Sequence, residues 1–185
     1  MSERIVITGG GAIGCSIAYF LSLQESAGRE IWVMEKDPTY SIASSSLSAS
    51  SIRQQFSTPV CIQLSQFGYE FFFSCEREKA RYGGGVDLVD CGYLFLGNAQ
   101  QEDVLRRRSA LAISLGVQLH EHSAQELQHR YPWMNVSDLT YAVEGLAGEG
   151  WFDGYSVMQW FRKRAREAGV HFVTGEAAGY RMRGT

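Results

Sequence analysis

The chain has 185 residues, 45% of them hydrophobic and 20% charged, with 20 glycines against 3 prolines. That balance belongs to a folded α/β protein with a sizeable core and excludes a disordered chain. The formal net charge is −3 and no basic run is longer than three residues, Arg106-Arg107-Arg108 among them, which argues against nucleic acid as a partner.

The chain enters through Met1-Ser2-Glu3-Arg4 directly into Ile5-Val6-Ile7. This run is too short for the apolar core of a secretion signal, and glycines follow it. No stretch approaches the ~20 apolar residues of a membrane span, so a cytoplasmic protein without a transmembrane segment is expected. Cys15, Cys61, Cys75 and Cys91 are scattered without CxxC spacing and are expected to be reduced thiols.

Residues 4–8 predict a short buried strand. The periodic segment from Ala12 to about Leu23, carrying Ile13, Ile17, Phe20 and Leu21, predicts a helix. A turn at Gly28 leads into the apolar run 31–34, which ends at Glu35. Strand, helix and strand together make a βαβ crossover with a parallel pair. Residues 41–51 are rich in serine and carry no charge, unlike an ordinary solvated linker. Ser57 as N-cap and Pro59 in the first turn predict a long helix through Leu64, Phe67, Phe71 and Phe72 to about Arg81, stopped by Tyr82-Gly83-Gly84-Gly85.

Residues 86–97 read as a strand pair broken at Cys91-Gly92, with Tyr93-Leu94-Phe95-Leu96 as its second member. A helix over 101–115 follows, its arginines on the solvated face and Leu105, Leu111 and Leu115 on the buried one. A short strand after Gly116, a helical turn over 124–129 and Pro132 come next. Residues 144–154 read as a glycine-rich loop. A helix over 155–168 then leads through Gly169 into 170–173, a further parallel strand.

The densest signal is Gly9-Gly10-Gly11-Ala12-Ile13-Gly14 between the first strand and the first helix. In this GxGxxG loop Gly9 permits the tight turn, Gly11 lets backbone approach a pyrophosphate, and Gly14 lets helix pack close to sheet. The helix N-terminus offers unpaired N–H groups and partial positive charge to the phosphates, with Ala12 and Ile13 in its first turn. Glu35 lies 21 residues after Gly14, where a carboxylate can accept from ribose hydroxyls. It opposes a 2′-phosphate, although Lys36 beside it offsets that repulsion. The alternative TGxxxGxG loop of short-chain dehydrogenases needs glycine at Ile13, and no YxxxK pair is present.

An NAD-binding domain would run directly to a third parallel strand, whereas here the second strand leads into the serine segment and a long helix. Ser44-Ser45, Ser51-Ile52-Arg53-Gln54-Gln55-Phe56-Ser57 and the opening 7–19 together resemble the D-amino-acid oxidase and sarcosine oxidase-like family of FAD-dependent oxidoreductases. Gly92-Tyr93-Leu94, Tyr131-Pro132 and Gly150-Trp151-Phe152-Asp153 extend the resemblance over nearly the whole chain. The fold it implies is α/β: a Rossmann-like FAD-binding βαβ unit with part of an antiparallel-sheet (α+β) substrate domain inserted. The expected division is 1–56 for the first part of the FAD-binding domain, 57–150 for a partial substrate domain, and 151–185 for the return.

By resemblance, Glu35 meets the adenosine ribose, Ser44 and Ser45 approach the phosphates, and Ser51, Ile52 and Arg53 pass beside the isoalloxazine ring. The implied reaction is hydride transfer to flavin from the carbon beside the nitrogen of an amine or amino acid. Arg53 is the candidate catalytic-site residue, since guanidinium pairs with a substrate carboxylate through two parallel hydrogen bonds; polarising the flavin edge or binding another protein carboxylate are its alternative roles. Two other functions stay open: a non-catalytic FAD-binding or assembly module, and an NAD-dependent dehydrogenase. Family members are longer, so the chain, ending at Arg183-Gly184-Thr185, is expected to be a fragment or truncated product with an exposed sheet edge.

His120 and His122 flank Glu121 without further ligands at suitable spacing and read as an exposed strand end, so no metal site is expected. Phe71 and Phe72 read as helix core, with Phe73 facing elsewhere and able to touch a partner. Trp151, Phe152, Trp160 and Phe161 read as core.

Overall fold

The structure, a computed structural model, describes residues 3–24 and 28–182. Met1-Ser2 and the Arg183-Gly184-Thr185 end, which the sequence sets before the first strand and after the last, lie outside the described residues. In chain order the elements are β1 (Arg4–Thr8), α1 (Ala12–Ser22), β2 (Glu30–Glu35), β3 (Ser51–Ile52), α2 (Pro59–Arg77), α3 (Lys79–Tyr82), β4 (Val89–Asp90) and β5 (Leu94–Gly97). They continue with α4 (Glu102–Ser114), β6 (Leu119–Ser123), α5 (Ala124–Arg130), β7 (Tyr141–Gly145), β8 (Gly150–Trp151), α6 (Gly154–Glu167) and β9 (His171–Thr174). No described helix is long and apolar enough to cross a membrane.

Two compact units divide these elements. The first comprises Met1–Ser50, Gly83–Val86 and Asp153–Thr185, and its sheet is parallel throughout in the order β1-β2-β9. β9 is parallel, as expected from the sequence, and lies beyond β2 as the third strand of a Rossmann-type half. α6 buries Val157, Met158, Trp160, Phe161 and Ala165, a helical repeat that closes the core of Ala18, Ile31, Val33 and Val170. Tyr19 of α1 packs edge-on to Trp160 at 5.4 Å. Asp153 caps α6 by accepting from the Ser156 N–H at 2.6 Å.

The second unit, Ser51–Tyr82 and Asp87–Phe152, holds two antiparallel three-stranded sheets, β3-β8-β4 and β5-β7-β6. The expected strand pair over 86–97 is absent: β4 pairs with β8 and β5 with β7, so Cys91-Gly92 links two sheets. Residues 144–154, read as loop, include the end of β7 and all of β8. The long helix starts after Thr58 rather than Ser57, with Pro59 at its first turn, and breaks at Glu78 before the single turn of α3. Ile62 and Cys75 are its buried residues, while Leu64 and Phe67 are 64% and 59% exposed. Phe72 packs on Phe152 at 4.8 Å, and the exposed Phe73 stacks on Tyr69. Trp151 is exposed rather than core; Trp160 and Phe161 are buried as expected.

α4 behaves as its pattern predicts: Leu111 and Leu115 pack against Ile62, Ala112 and Val117, and the three arginines are exposed. The Ser123 hydroxyl and Glu126 form a reciprocal capping box at α5. All four cysteines are free thiols, Cys15 and Cys75 buried, Cys61 and Cys91 exposed.

Candidate functional site

In the first unit the glycine loop leaves the carboxyl end of β1. Gly9 has φ +95°, which only glycine adopts readily, and its N–H donates to the Met34 carbonyl at 2.8 Å. A β-carbon on Gly14 would overlap the Gly9 carbonyl oxygen, so α1 approaches the loop only because that side chain is missing. Gly11 is the N-cap of α1, without a side-chain cap bond, and the first turn holds no acidic residue. The first-turn N–H groups therefore lack internal partners. Ala12 is half-buried and Ile13 is 78% exposed at this open helix end.

Glu35 organises the neighbourhood. One carboxylate oxygen accepts from the Gly10 N–H at 2.7 Å and the other from the Asp37 N–H at 2.9 Å. Each oxygen keeps a further lone pair for an outside donor. The Gly175 N–H donates to the Glu35 carbonyl at 2.9 Å, so the ends of all three strands are tied at this residue. Lys36 is exposed and pairs with Glu176 at 3.7 Å rather than with the loop.

The serine segment is held by Asp37, Thr39 and Tyr40, none of which carries a sequence signal for that role. Asp37 accepts from the Thr39 N–H at 3.0 Å and hydroxyl at 2.5 Å, and from the Ser41 N–H and hydroxyl at 3.0 Å each. The Thr39 bonds, followed by those from Ser41, bring its carboxyl down to about 2. Tyr40, buried at φ +58°, places its hydroxyl beside Gly10, and the Arg162 guanidinium lies 5.3 Å over its ring. Cys15 donates from Sγ to the Gly10 carbonyl at 2.9 Å, and burial pushes this thiol up to about 12, so it backs the loop as an inert group.

Ser44 is exposed, whereas the Ser45 and Ser46 hydroxyls are buried without a hydrogen-bond partner among the described residues. Ser45 Oγ stands 3.8 Å from where a Gly11 β-carbon would be. An open helix N-terminus, a glycine facing an orphaned hydroxyl and a carboxylate with spare lone pairs fit the pyrophosphate and ribose of a dinucleotide.

In the second unit Ser51 is exposed and Ile52 buried on β3, which pairs with β8 at Trp151 and Gly150. Arg53 follows. Its guanidinium is exposed and lies 5.2, 6.0 and 5.8 Å over the rings of Phe56, Tyr93 and Phe95. No described carboxylate forms an ion pair with it. The Ser65 hydroxyl donates to the Arg53 carbonyl oxygen. Glu149, also missed in the sequence, is fully buried and takes the N–H groups of Gln54 and Gln55. A carboxylate set alone among Gly145, Gly148 and Gly150 was the available signal.

His122 corrects the expectation of an exposed strand end: it is 4% exposed and bonds Glu144 at 2.8 Å. Burial raises the Glu144 carboxyl, but bonds from Arg130, His122 and Tyr131 outweigh that and hold it at about 2. Among the described residues no group of three His, Cys, Asp or Glu side chains is arranged for a metal ion.

The family model described as FAD dependent oxidoreductase (DAO) matches residues 4–185. FAD-dependent oxidoreductase domain-containing protein 1 of Xenopus laevis is 36% identical over 185 residues, covering 95% of this chain and 36% of that protein. Its Drosophila melanogaster homolog is 33% identical, covering 97% and 35%. The chain thus spans about a third of the length of these relatives. Among solved structures, L-proline dehydrogenase of P. horikoshii superposes with TM-score 0.76 at 25% identity, covering 94% of this chain and 44% of that one. Glycine oxidase of Bacillus cereus shares the fold, with TM-score 0.73 at 19% identity over 99% of this chain and 49% of that one. With a parallel βαβ start, antiparallel sheets and a family match over nearly its whole length, the chain belongs to the DAO family of FAD-dependent oxidoreductases.

Proposed function

We propose that this chain holds the ADP half of FAD on its glycine loop and belongs to an enzyme that oxidises the C–N bond of an amino acid or N-methyl amino acid. The observation that carries the substrate class is Arg53: an exposed guanidinium framed by Phe56, Tyr93 and Phe95 and paired with no described carboxylate. The likeness to an L-proline dehydrogenase supports the same class.

Each residue has a definite task in this reading. The α1 N-terminus and the Ser45 hydroxyl meet the pyrophosphate, and Gly11 leaves room for it. Glu35 accepts from ribose hydroxyls through its spare lone pairs while its existing bonds keep Gly10 and Asp37 in place. When bound, FAD supplies the acceptor for a hydride from the carbon beside the amine, and the imine product hydrolyses in water. Arg53 fixes the substrate carboxylate through two parallel N–H bonds, and the three rings orient its exposed guanidinium.

The test is anaerobic mixing of the FAD-loaded full-length protein with a panel of amino and N-methyl amino acids, including L-proline beside pyrrolidine. Bleaching of the oxidised-flavin band by acids but not by the matching amine is expected. Arg53→Lys should raise the half-saturating concentration by about tenfold or more, because a lysine cannot form the two-point contact. A flavin that no member of the panel reduces overturns the proposal.

A further inference from the structure

Glu149 is 0% exposed, and among the described residues the donors that reach its carboxylate come from Gln54 and Gln55, the residues after Arg53. Oε1 accepts from the Gln54 N–H at 2.5 Å and the Gln55 N–H at 3.2 Å, and Oε2 accepts from Gln55 Nε2 at 2.8 Å. The clasp is closed from the other side. The Gln54 side chain donates to the Gly148 carbonyl at 2.9 Å, and the Glu149 carbonyl accepts from Cys91 and Gly92 at 3.1 and 2.8 Å.

Three glycines clear the space. A β-carbon on Gly145 would strike Glu149 Oε2, one on Gly148 would strike Gln54 Nε2, and one on Gly150 would strike the Val89 carbonyl. Tyr93, whose ring frames Arg53, joins the same assembly: its carbonyl accepts from the Gly145 N–H at 2.8 Å and from Gln55 Nε2 at 3.3 Å.

A buried carboxylate is costly, and an apolar side chain of similar size would fill the same volume more cheaply. What an apolar residue could not do is fix the direction of two consecutive peptide N–H groups. Those directions set the backbone where Arg53 leaves the chain. Burial pushes the Glu149 carboxyl up, while the Gln54 and Gln55 bonds and the charge of Arg53 pull it back.

We propose that Glu149 is a positioning residue for Arg53: through Gln54 and Gln55 it holds the guanidinium in its frame of aromatic rings, preorganised for a substrate carboxylate. The inference rests on the reading of Arg53 as the carboxylate contact. Glu149→Gln keeps acceptor capacity for the backbone but brings an amide NH2 against the Gln55 side-chain donor. Gln55→Leu removes one donor while leaving Glu149 in place, and serves if Glu149→Gln does not fold.

The experiment uses FAD-loaded full-length protein and anthranilate, an aromatic carboxylate, as the probe, read as a perturbation of the flavin spectrum. Crystal structures of the variants locate the Arg53 side chain. Glu149→Gln should weaken anthranilate by about tenfold, leave FAD affinity unchanged and move the guanidinium out of the frame; added to Arg53→Gln it should cost nothing more, since the two act as one unit. An Arg53 that stays in place, or equal weakening with and without the arginine, overturns the inference. If Arg53 moves in Glu149→Gln but Arg53→Gln binds anthranilate normally, positioning stands and the carboxylate reading falls.

Discussion

Gly14 lies so close to the Gly9 carbonyl oxygen that a β-carbon on it would overlap that atom, whereas a β-carbon on Gly11 would meet nothing nearer than Ser45 Oγ at 3.8 Å. The two glycines therefore differ: Gly14 closes the protein on itself, and Gly11 borders open space that the proposed function gives to a ligand. Gly14→Ala should lower both the melting temperature and FAD affinity. Gly11→Ala should leave the apo melting temperature nearly unchanged while raising the FAD dissociation constant by about tenfold or more, because its methyl group stands where the pyrophosphate must approach. Thermal melts and flavin fluorescence titration of the two variants separate these outcomes.

Glu35 has a structural task beside the ribose contact proposed for it. Glu35→Ala orphans the Gly10 and Asp37 N–H groups and should cost about 1–3 kcal/mol in urea unfolding even without FAD. An apo stability equal to wild type would show that the loop does not depend on those bonds.

Within the first unit Asp153 caps α6, and Gly154 beside it brings that helix against the serine segment. Asp153→Ala removes the α6 cap and should cost about 1 kcal/mol. Gly154→Ala drives a β-carbon into Ser50 Oγ and the Ser45 carbonyl, so it should disturb the Ser45 hydroxyl and weaken FAD binding. FAD titration of Gly154→Ala that matches wild type would contradict that link.

Glu144 sets an acid limit on stability. Its folded carboxyl titrates at about 2, below the ordinary glutamate value of about 4.3, so its contribution is complete above the unfolded value and is lost as pH falls towards 2. Urea unfolding from about pH 6 down to about 2.5 should show a steep acid limb that Glu144→Gln flattens, with about 1–3 kcal/mol lost at neutral pH. An unchanged limb in the variant would assign the acid sensitivity elsewhere.

The first unit was legible because its signals are local. Ile5-Val6-Ile7, the glycine spacing and Glu35 each state a requirement within a few residues, and β9 follows from a helix and an apolar run; β1, however, lies at the sheet edge with Val6 51% exposed and is not the buried strand its apolar run predicts. The second unit was less so. β7 escaped because Tyr141, Ala142 and Val143 are all buried, which erases the alternation of a half-exposed strand. The sequence predicts an exposed His122 because its partner Glu144 is 22 residues away and reaches it only through the β6–β7 pairing. β4 and β5 were joined in the sequence reading because sequence shows proximity and not sheet membership. Arg53 is legible from its segment, whereas Glu149, 96 residues later, becomes its neighbour only when β8 pairs with β3.

The most direct measurement is the flavin content of purified full-length protein beside its Gly11→Ala variant. Stoichiometric FAD in the wild type, released on denaturation, and little or none in Gly11→Ala is the predicted result. A wild-type protein that is colourless and whose melting temperature does not respond to added FAD would contradict the account.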